Sequence, residues 1–375
     1  MSTSQQRFLA LDVFRGMTIC FMIIVNTPGS GEFAYSPLHH AKWNGFTPTD
    51  LVYPSFLFAV GTALSFVMPK WASLSQSQVL AKIFKRTFVI FIIGWLMYWF
   101  PFVDFDKDNH LFFIPISHTR ILGVLQRIAL VYCLGALMIY YFKPRTLFAL
   151  MILILLLYWF VMMRFGDPPD PLSMTGNIGY YIDKWILGEN HMYHGEGVAF
   201  EPEGFLSTLP AIGNLIGGWL VGRFLKDKGK TYEGLSKLLL VGLACICIGY
   251  FWDLLFPINK KLWTSSFVVY TVGLDCAILG VIIYITEFLG KTEWTGFFTI
   301  LGKNPLFIYL VSELGVSLLH FIPGSGDNSL YETIYENVYK HLGLYFGSLL
   351  FAISWMLVCW LVGYWLDKRK IYVRV

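Results

Sequence analysis

LALDVFRGMTICFMIIVNT, Leu9 to Thr27, holds nineteen residues of which only Asp12 and Arg15 can carry a charge. A bilayer core is roughly 30 Å thick and about 20 helical residues cross it, so this run reads as a membrane-spanning helix. Further runs of the same kind lie near 50 to 68, 84 to 101, 120 to 142, 146 to 163, 205 to 225, 236 to 256, 264 to 288, 297 to 320 and 344 to 366. Of the 375 residues, 56% are hydrophobic and 14% charged, more apolar surface than the interior of a soluble domain takes up. The expected fold class is all-α: a polytopic transmembrane helix bundle of about ten helices with long extracytoplasmic loops, residues 1–375 forming one domain. Met1 to Arg7 is too short for the charged start of a cleaved leader, so the first helix is expected to be retained.

Charge gives the orientation. Assigning the connections to alternate sides places seventeen Lys and Arg on one side, among them Arg7, Lys82, Lys85, Arg86, Lys143, Lys228 and Arg374. Eight fall on the other: Lys42, Lys107, Arg120, Arg164, Lys184, Lys260, Lys261 and Lys340. Positive charge concentrates on the cytoplasmic side of membrane proteins, which puts both termini there. A multi-pass protein of the cell inner membrane is the expected setting. The opposite side takes most acids, including Asp106 and Asp108, and the long segments near 28 to 49, 102 to 119 and 164 to 204. Loops held on a rigid scaffold are where binding chemistry tends to sit.

Ionisable groups inside a span cost roughly 2.5 to 3.5 kcal/mol each, so each needs a partner or a task. Asp12 and Arg15 are one turn apart and can pair. Arg127 and Lys303 have no acid within a turn, so a distant helix or an anionic, phosphate-bearing ligand must balance them. No His and carboxylate pair has helical ligand spacing, and no metal is expected. Cys245 and Cys247, two apart on a helix, point to different faces and read as packing. His40 lies between a Gly-Ser-Gly turn and Trp43-Asn44-Gly45, at the mouth of two helices, where an imidazole serves as a general base near neutral pH.

The order of several motifs then becomes recognisable: L-D-V-F-R-G-M (11 to 17), H-A-K-W-N-G (40 to 45), H-T-R-I-L-G-V-L-Q-R (118 to 127), Y-I-D-K-W-I-L-G-E-N-H-M-Y (181 to 193), E-P-E-G (201 to 204) and P-I-N-K-K-L-W-T-S-S (257 to 266). Over nearly the whole chain this resembles the heparan-alpha-glucosaminide N-acetyltransferase family of transmembrane acyltransferases. The resemblance implies transfer of an acetyl group from cytoplasmic acetyl-CoA to the amine of a terminal glucosamine or related amino sugar on the extracytoplasmic side. It also implies that His40 and Asn26 are the catalytic pair.

An amine acceptor needs a base and a donor for the developing oxyanion, roles that His40 and the Asn26 amide can fill. Direct transfer and an acetyl-histidine intermediate both remain open. Arg15, Gln126, Arg127, Ser266, Lys303 and Asn304 are the residues expected to bind acetyl-CoA. Trp43, Asn44, Asp50, Asp183, His191 and Glu203 are those expected to meet the sugar, although Asp50 and Glu203 also read as helix caps. Membrane lipid and an amino-sugar acceptor are the expected partners, a homodimer is left open, and nucleic acid is not expected. The competing readings are a transporter or flippase of a polar solute and an O-acetyltransferase of a cell-surface polysaccharide.

Overall fold

The computed structural model describes residues 8–105, 110–326 and 328–373; Arg7, Asp106, Lys107, Asp108 and Arg374 from the charge count lie outside them. In chain order the helices are α1 (Leu9–Asn26), α2 (Pro48–Val67), α3 (Gln76–Trp99), α4 (Val124–Tyr141), α5 (Pro144–Phe165), α6 (Ile178–Leu187) and α7 (Phe205–Lys228). There follow α8 (Tyr232–Asp253), α9 (Ser265–Ile283), α10 (Thr295–Lys303), α11 (Pro305–Phe321), the short α12 (Leu330–Ile334) and α13 (Leu344–Lys368). The strand content among the described residues is one antiparallel hairpin, β1 (Val103–Phe105) with β2 (Leu111–Phe113). The protein is a multi-pass helical membrane bundle.

Among the described residues eight helices, α1, α2, α4, α5, α7, α8, α9 and α13, are long and apolar enough to cross a bilayer. Two expected spans differ in shape. The run at 84 to 101 is the second part of α3, which begins at Gln76 because Ser75 and Gln78 form a reciprocal capping box among polar residues. The run at 297 to 320 is two helices, α10 and α11, meeting at 83°. Pro305 explains the break: it cannot continue α10, and it drives Asn304 to φ −129, ψ 51, outside the helical region. The segment at 164 to 204 is not all loop, since Asn177 caps α6 by accepting from the Tyr180 N–H.

Lipid offers helices no hydrophobic drive to associate, so close backbone approach has to supply dispersion contact. The α2 and α7 crossing shows the device: a Cβ at Gly61 would collide with the Leu215 carbonyl, and one at Gly218 with the Phe58 carbonyl. That crossing fixes α2, and with it the loop ahead of it.

Candidate active site

A cavity of about 250 Å³ opens at the end of the bundle where α1 finishes and α2 starts. Thr49 and Asp50, in the first turn of α2, form part of its wall. Pro48 supplies the preset φ of a first helical residue, and Thr47 with Asp50 closes a capping box. Asp50 Oδ2 accepts from the Thr47 N–H at 3.0 Å and the Ala41 N–H at 3.1 Å. Its other oxygen, Oδ1, lies 2.7 Å from Nδ1 of His40. Asp50 is therefore both the cap of α2 and the partner of the histidine.

An ionised carboxylate only accepts, so the neutral imidazole carries its proton on Nδ1 and turns the Nε2 lone pair away from Asp50. Lys260 Nζ approaches that ring, 3.2 Å from Nε2 and 3.0 Å from Nδ1. It comes from a loop folded around Asn259, whose side chain donates to Asn44 Oδ1 at 3.1 Å and accepts from the Leu262 N–H at 2.9 Å. The Gly45 N–H donates to the Ile258 carbonyl at 2.8 Å, which ties the lysine loop to the histidine loop.

Burial pulls the His40 pKa below the ordinary 6.5; the Asp50 hydrogen bond opposes the fall and the Lys260 charge adds to it. Burial likewise brings Lys260 down to about 8. At neutral pH the imidazole is thus unprotonated and free to take a proton. Asn26, at the end of α1, lines the same cavity and donates from Nδ2 to Glu313 Oε1 at 3.2 Å.

The far wall is an arginine clamp. Arg120 binds Glu201 through Nε and Nη2 at 3.0 and 2.5 Å, and Glu203 through Nη2 at 2.6 Å. Its guanidinium lies 4.9 Å from the Tyr98 ring centre and 4.7 Å from that of Tyr193. Burial would raise the Glu203 pKa, but Arg120, Arg127 and Lys260 outweigh it and hold the carboxyl ionised.

A second cavity, of about 110 Å³, holds Arg15 and Arg86 among apolar walls. The two share four helices: Asn26 and Arg15 line them on α1, Tyr53 and Phe56 on α2, Val124 and Leu125 on α4, Tyr309 and Leu306 on α11. The eleven residues from Arg15 to Asn26 correspond to roughly 16 Å along a helix. Arg15 donates to Asp12 Oδ1 at 2.9 Å and caps the end of α10 through the Gly302 carbonyl at 2.7 Å. Arg86 lies over the Tyr132 ring at 4.6 Å, its buried Nε without a hydrogen-bond acceptor.

The remaining predicted residues divide. Lys303 is balanced by Asp367 of α13 at 2.7 Å, the distant helix its isolation required. Asn304 binds the C-terminal segment, donating to the Ile371 carbonyl and accepting from the Val373 N–H. Arg127 is fully buried beside Trp263 and donates to the Pro202 carbonyl and to Ser207, at the loop-bearing end and away from the Arg15 cavity. Gln126 donates to the Ile121 carbonyl, and Ser266 is buried against Thr264. Of the residues expected to meet a sugar, Asp50 and Glu203 line the His40 cavity. Glu203 does not cap α7. Asp183 accepts from the Phe205 N–H at the start of that helix, with burial raising its pKa to about 7. His191 bonds the Thr119 carbonyl, Asn44 the lysine loop, and Trp43 the Leu172 carbonyl beside Phe200. Sequence reasoning passed over Lys260, Arg120 and Arg86 as site residues. The adjacent lysines of P-I-N-K-K-L-W, on the side poor in cations, were the available signal for the first.

The family model described as the catalytic region of heparan-alpha-glucosaminide N-acetyltransferase matches residues 7–244, the part that carries His40, Asp50, Arg120 and Glu203. The chain belongs to that family. Two curated relatives, both described as heparan-alpha-glucosaminide N-acetyltransferase, align over all of this chain: one from Mus musculus at 27% identity and one from Homo sapiens at 26%. The chain spans 61% of the length of each. In family terms the matched region supplies the histidine side of the His40 cavity, while Lys260 comes from beyond residue 244.

Proposed function

We propose that the chain is a membrane acetyltransferase that moves an acetyl group from acetyl-CoA to the amine of a terminal glucosamine or related amino sugar. The observation that carries the reading is the stacking of two unlike cavities on the same four helices, one with a histidine–aspartate pair and one with two arginines in apolar walls. The donor enters at the Arg15 end, taken as cytoplasmic from the charge bias, and Arg15 and Arg86 meet its phosphates. Its pantetheine arm runs toward the seam at Tyr53, Val124 and Tyr309.

The sugar enters the His40 cavity from the loop-bearing side, where Glu203 and Asp50 offer carboxylate oxygens to its polar groups. The ammonium first releases one proton to solvent; His40 Nε2 takes the second as the amine attacks the thioester carbonyl, and Asp50 holds the ring and steadies the imidazolium. The Asn26 amide donates to the oxyanion, and the departing thiolate takes the proton back. Lys303 and Asn304 hold the break between α10 and α11, through the C-terminal segment, in the shape that the donor cavity needs.

The test is purified protein in detergent with labelled acetyl-CoA and a panel of amino sugars. Label should move to at least one amino sugar and to none of the corresponding N-acetylated sugars. Transfer to sugar hydroxyls alone would favour O-acetylation, and no transfer by protein that binds acetyl-CoA would overturn the proposal.

A further inference from the structure

We propose that Lys260 is itself an acetyl acceptor, marked by the same donor when no amino sugar fills the cavity. The inference rests on the transferase reading. Its geometric basis is an amine already lying against the His40–Asp50 pair: Lys260 Nζ stands 3.0 Å from Nδ1 and 3.2 Å from Nε2, over the face of the ring, so that rotation about its own side chain brings the nitrogen to the Nε2 lone pair. The loop that carries it is fixed by Asn259, by the Gly45 to Ile258 bond and by Trp263, which takes a left-handed φ of 53 and donates to Asn214 at 3.0 Å. The lysine is thus held at the base.

Its neighbour provides an internal contrast. Lys261 is spent on Glu196 at 2.6 Å and on the Lys42 carbonyl at 3.0 Å. For Lys260 the carboxylate in ion-pair reach among the described residues is Asp50, at 3.8 Å, whose oxygens already serve His40 and two backbone N–H groups. With a pKa of about 8, roughly a tenth of Lys260 is neutral amine at pH 7, enough to react when held beside a thioester.

The ammonium releases one proton to solvent. The neutral amine attacks the thioester carbonyl, the C–N bond forms as the C–S bond breaks, and the second proton passes through His40 Nε2 to the departing thiolate. The products are Nε-acetyl-lysine and CoA thiol. The amide that results is uncharged and sits against the base, so the modified chain should lose activity toward sugar, and a bound sugar should protect it by taking the same place.

Full-length protein is incubated with isotopically labelled acetyl-CoA without sugar, and peptides covering Lys42, Lys260 and Lys261 are followed by mass spectrometry. Label should build up at Lys260 about a hundredfold faster than at Lys261, the range a positioned base supplies. It should fall to the Lys261 level in His40→Ala and be suppressed by an amino sugar that the protein acetylates. Lys260 labelled no faster than Lys261 in a preparation that acetylates sugar would overturn the inference alone, as would equal labelling of Lys260 in His40→Ala. If neither sugar nor Lys260 takes label although acetyl-CoA binds, the transferase reading fails and this inference with it.

Discussion

The two stacked cavities hold charge in opposite ways. Around His40, charges come bonded to one another: Asp50 with the imidazole, Lys261 with Glu196, Arg120 with Glu201 and Glu203. Around Arg15 the walls are aliphatic and aromatic, and Arg86 keeps a buried N–H without an acceptor. A place that moves protons benefits from dipoles and charges fixed before the substrate arrives. A place that receives a charged ligand benefits from donors left for it. On the proposed function, chemistry and donor binding are separable along the bundle axis, and substitutions can test that separation.

The largest expected effect is at the chemical end. His40→Ala should lower turnover by about 10⁴ while leaving acetyl-CoA affinity nearly unchanged, since a positioned base supplies up to that factor. Asp50→Asn should lower it by about 10³, because an amide can hold the ring with the wrong nitrogen protonated. Single-turnover transfer of labelled acetyl, beside equilibrium donor binding, checks both. A parallel loss of binding would erase the distinction between the cavities. Asn26→Ala should cost about a hundred to a thousandfold in turnover, the range for one oxyanion donor.

Much of this was legible in the sequence, and for physical reasons. Lipid selects long apolar runs, so the spans could be read by length and composition alone. The capping box of α3 and the Pro305 break are local signals that a hydropathy reading passes over, which is why one span began late and another was drawn straight. The His40–Asp50 pair is nearly local, ten residues apart, yet Thr47-Pro48 made Asp50 read as a cap or a sugar contact, and a capping carboxylate has a second oxygen to give. Lys260 is 220 residues from His40 and Arg120 is 81 from Glu201; only the fold brings such pairs together. Arg127 shows the converse. A span arginine without a nearby acid read as a phosphate ligand; the fold sets it at the loop-bearing end, where it donates to the Pro202 carbonyl and keeps Nε and Nη1 without an acceptor.

At the donor end the effects should be smaller and of a different kind. Arg86→Ala and Arg15→Ala should each weaken acetyl-CoA binding by roughly 10- to 100-fold, the loss of one charge-assisted contact of about 1.5 to 3 kcal/mol, and leave turnover at saturation nearly intact. Isothermal titration with CoA checks this, and unchanged affinity in both would remove the anion role from that cavity.

The smallest expected effect is in pH. The base must be free to accept a proton, and its pKa lies below the ordinary 6.5, so the acid limb of kcat/KM that belongs to His40, beside the limb set by the acceptor amine itself, should lie below pH 6.5. Lys260→Met removes a positive neighbour, makes protonation of His40 easier, and should move that acid limb upward, with burial, the larger cause, left in place. A limb that stays put, or moves down, would show that Lys260 does not act on the ring.

The most direct test of two separable ends is a crossed measurement on His40→Ala and Arg86→Ala, with acetyl-CoA dissociation constant and single-turnover rate determined on the same preparations. The account predicts a normal dissociation constant with transfer lost in the first, and a raised dissociation constant with near-normal saturated transfer in the second. Both quantities failing together in either folded variant would contradict it.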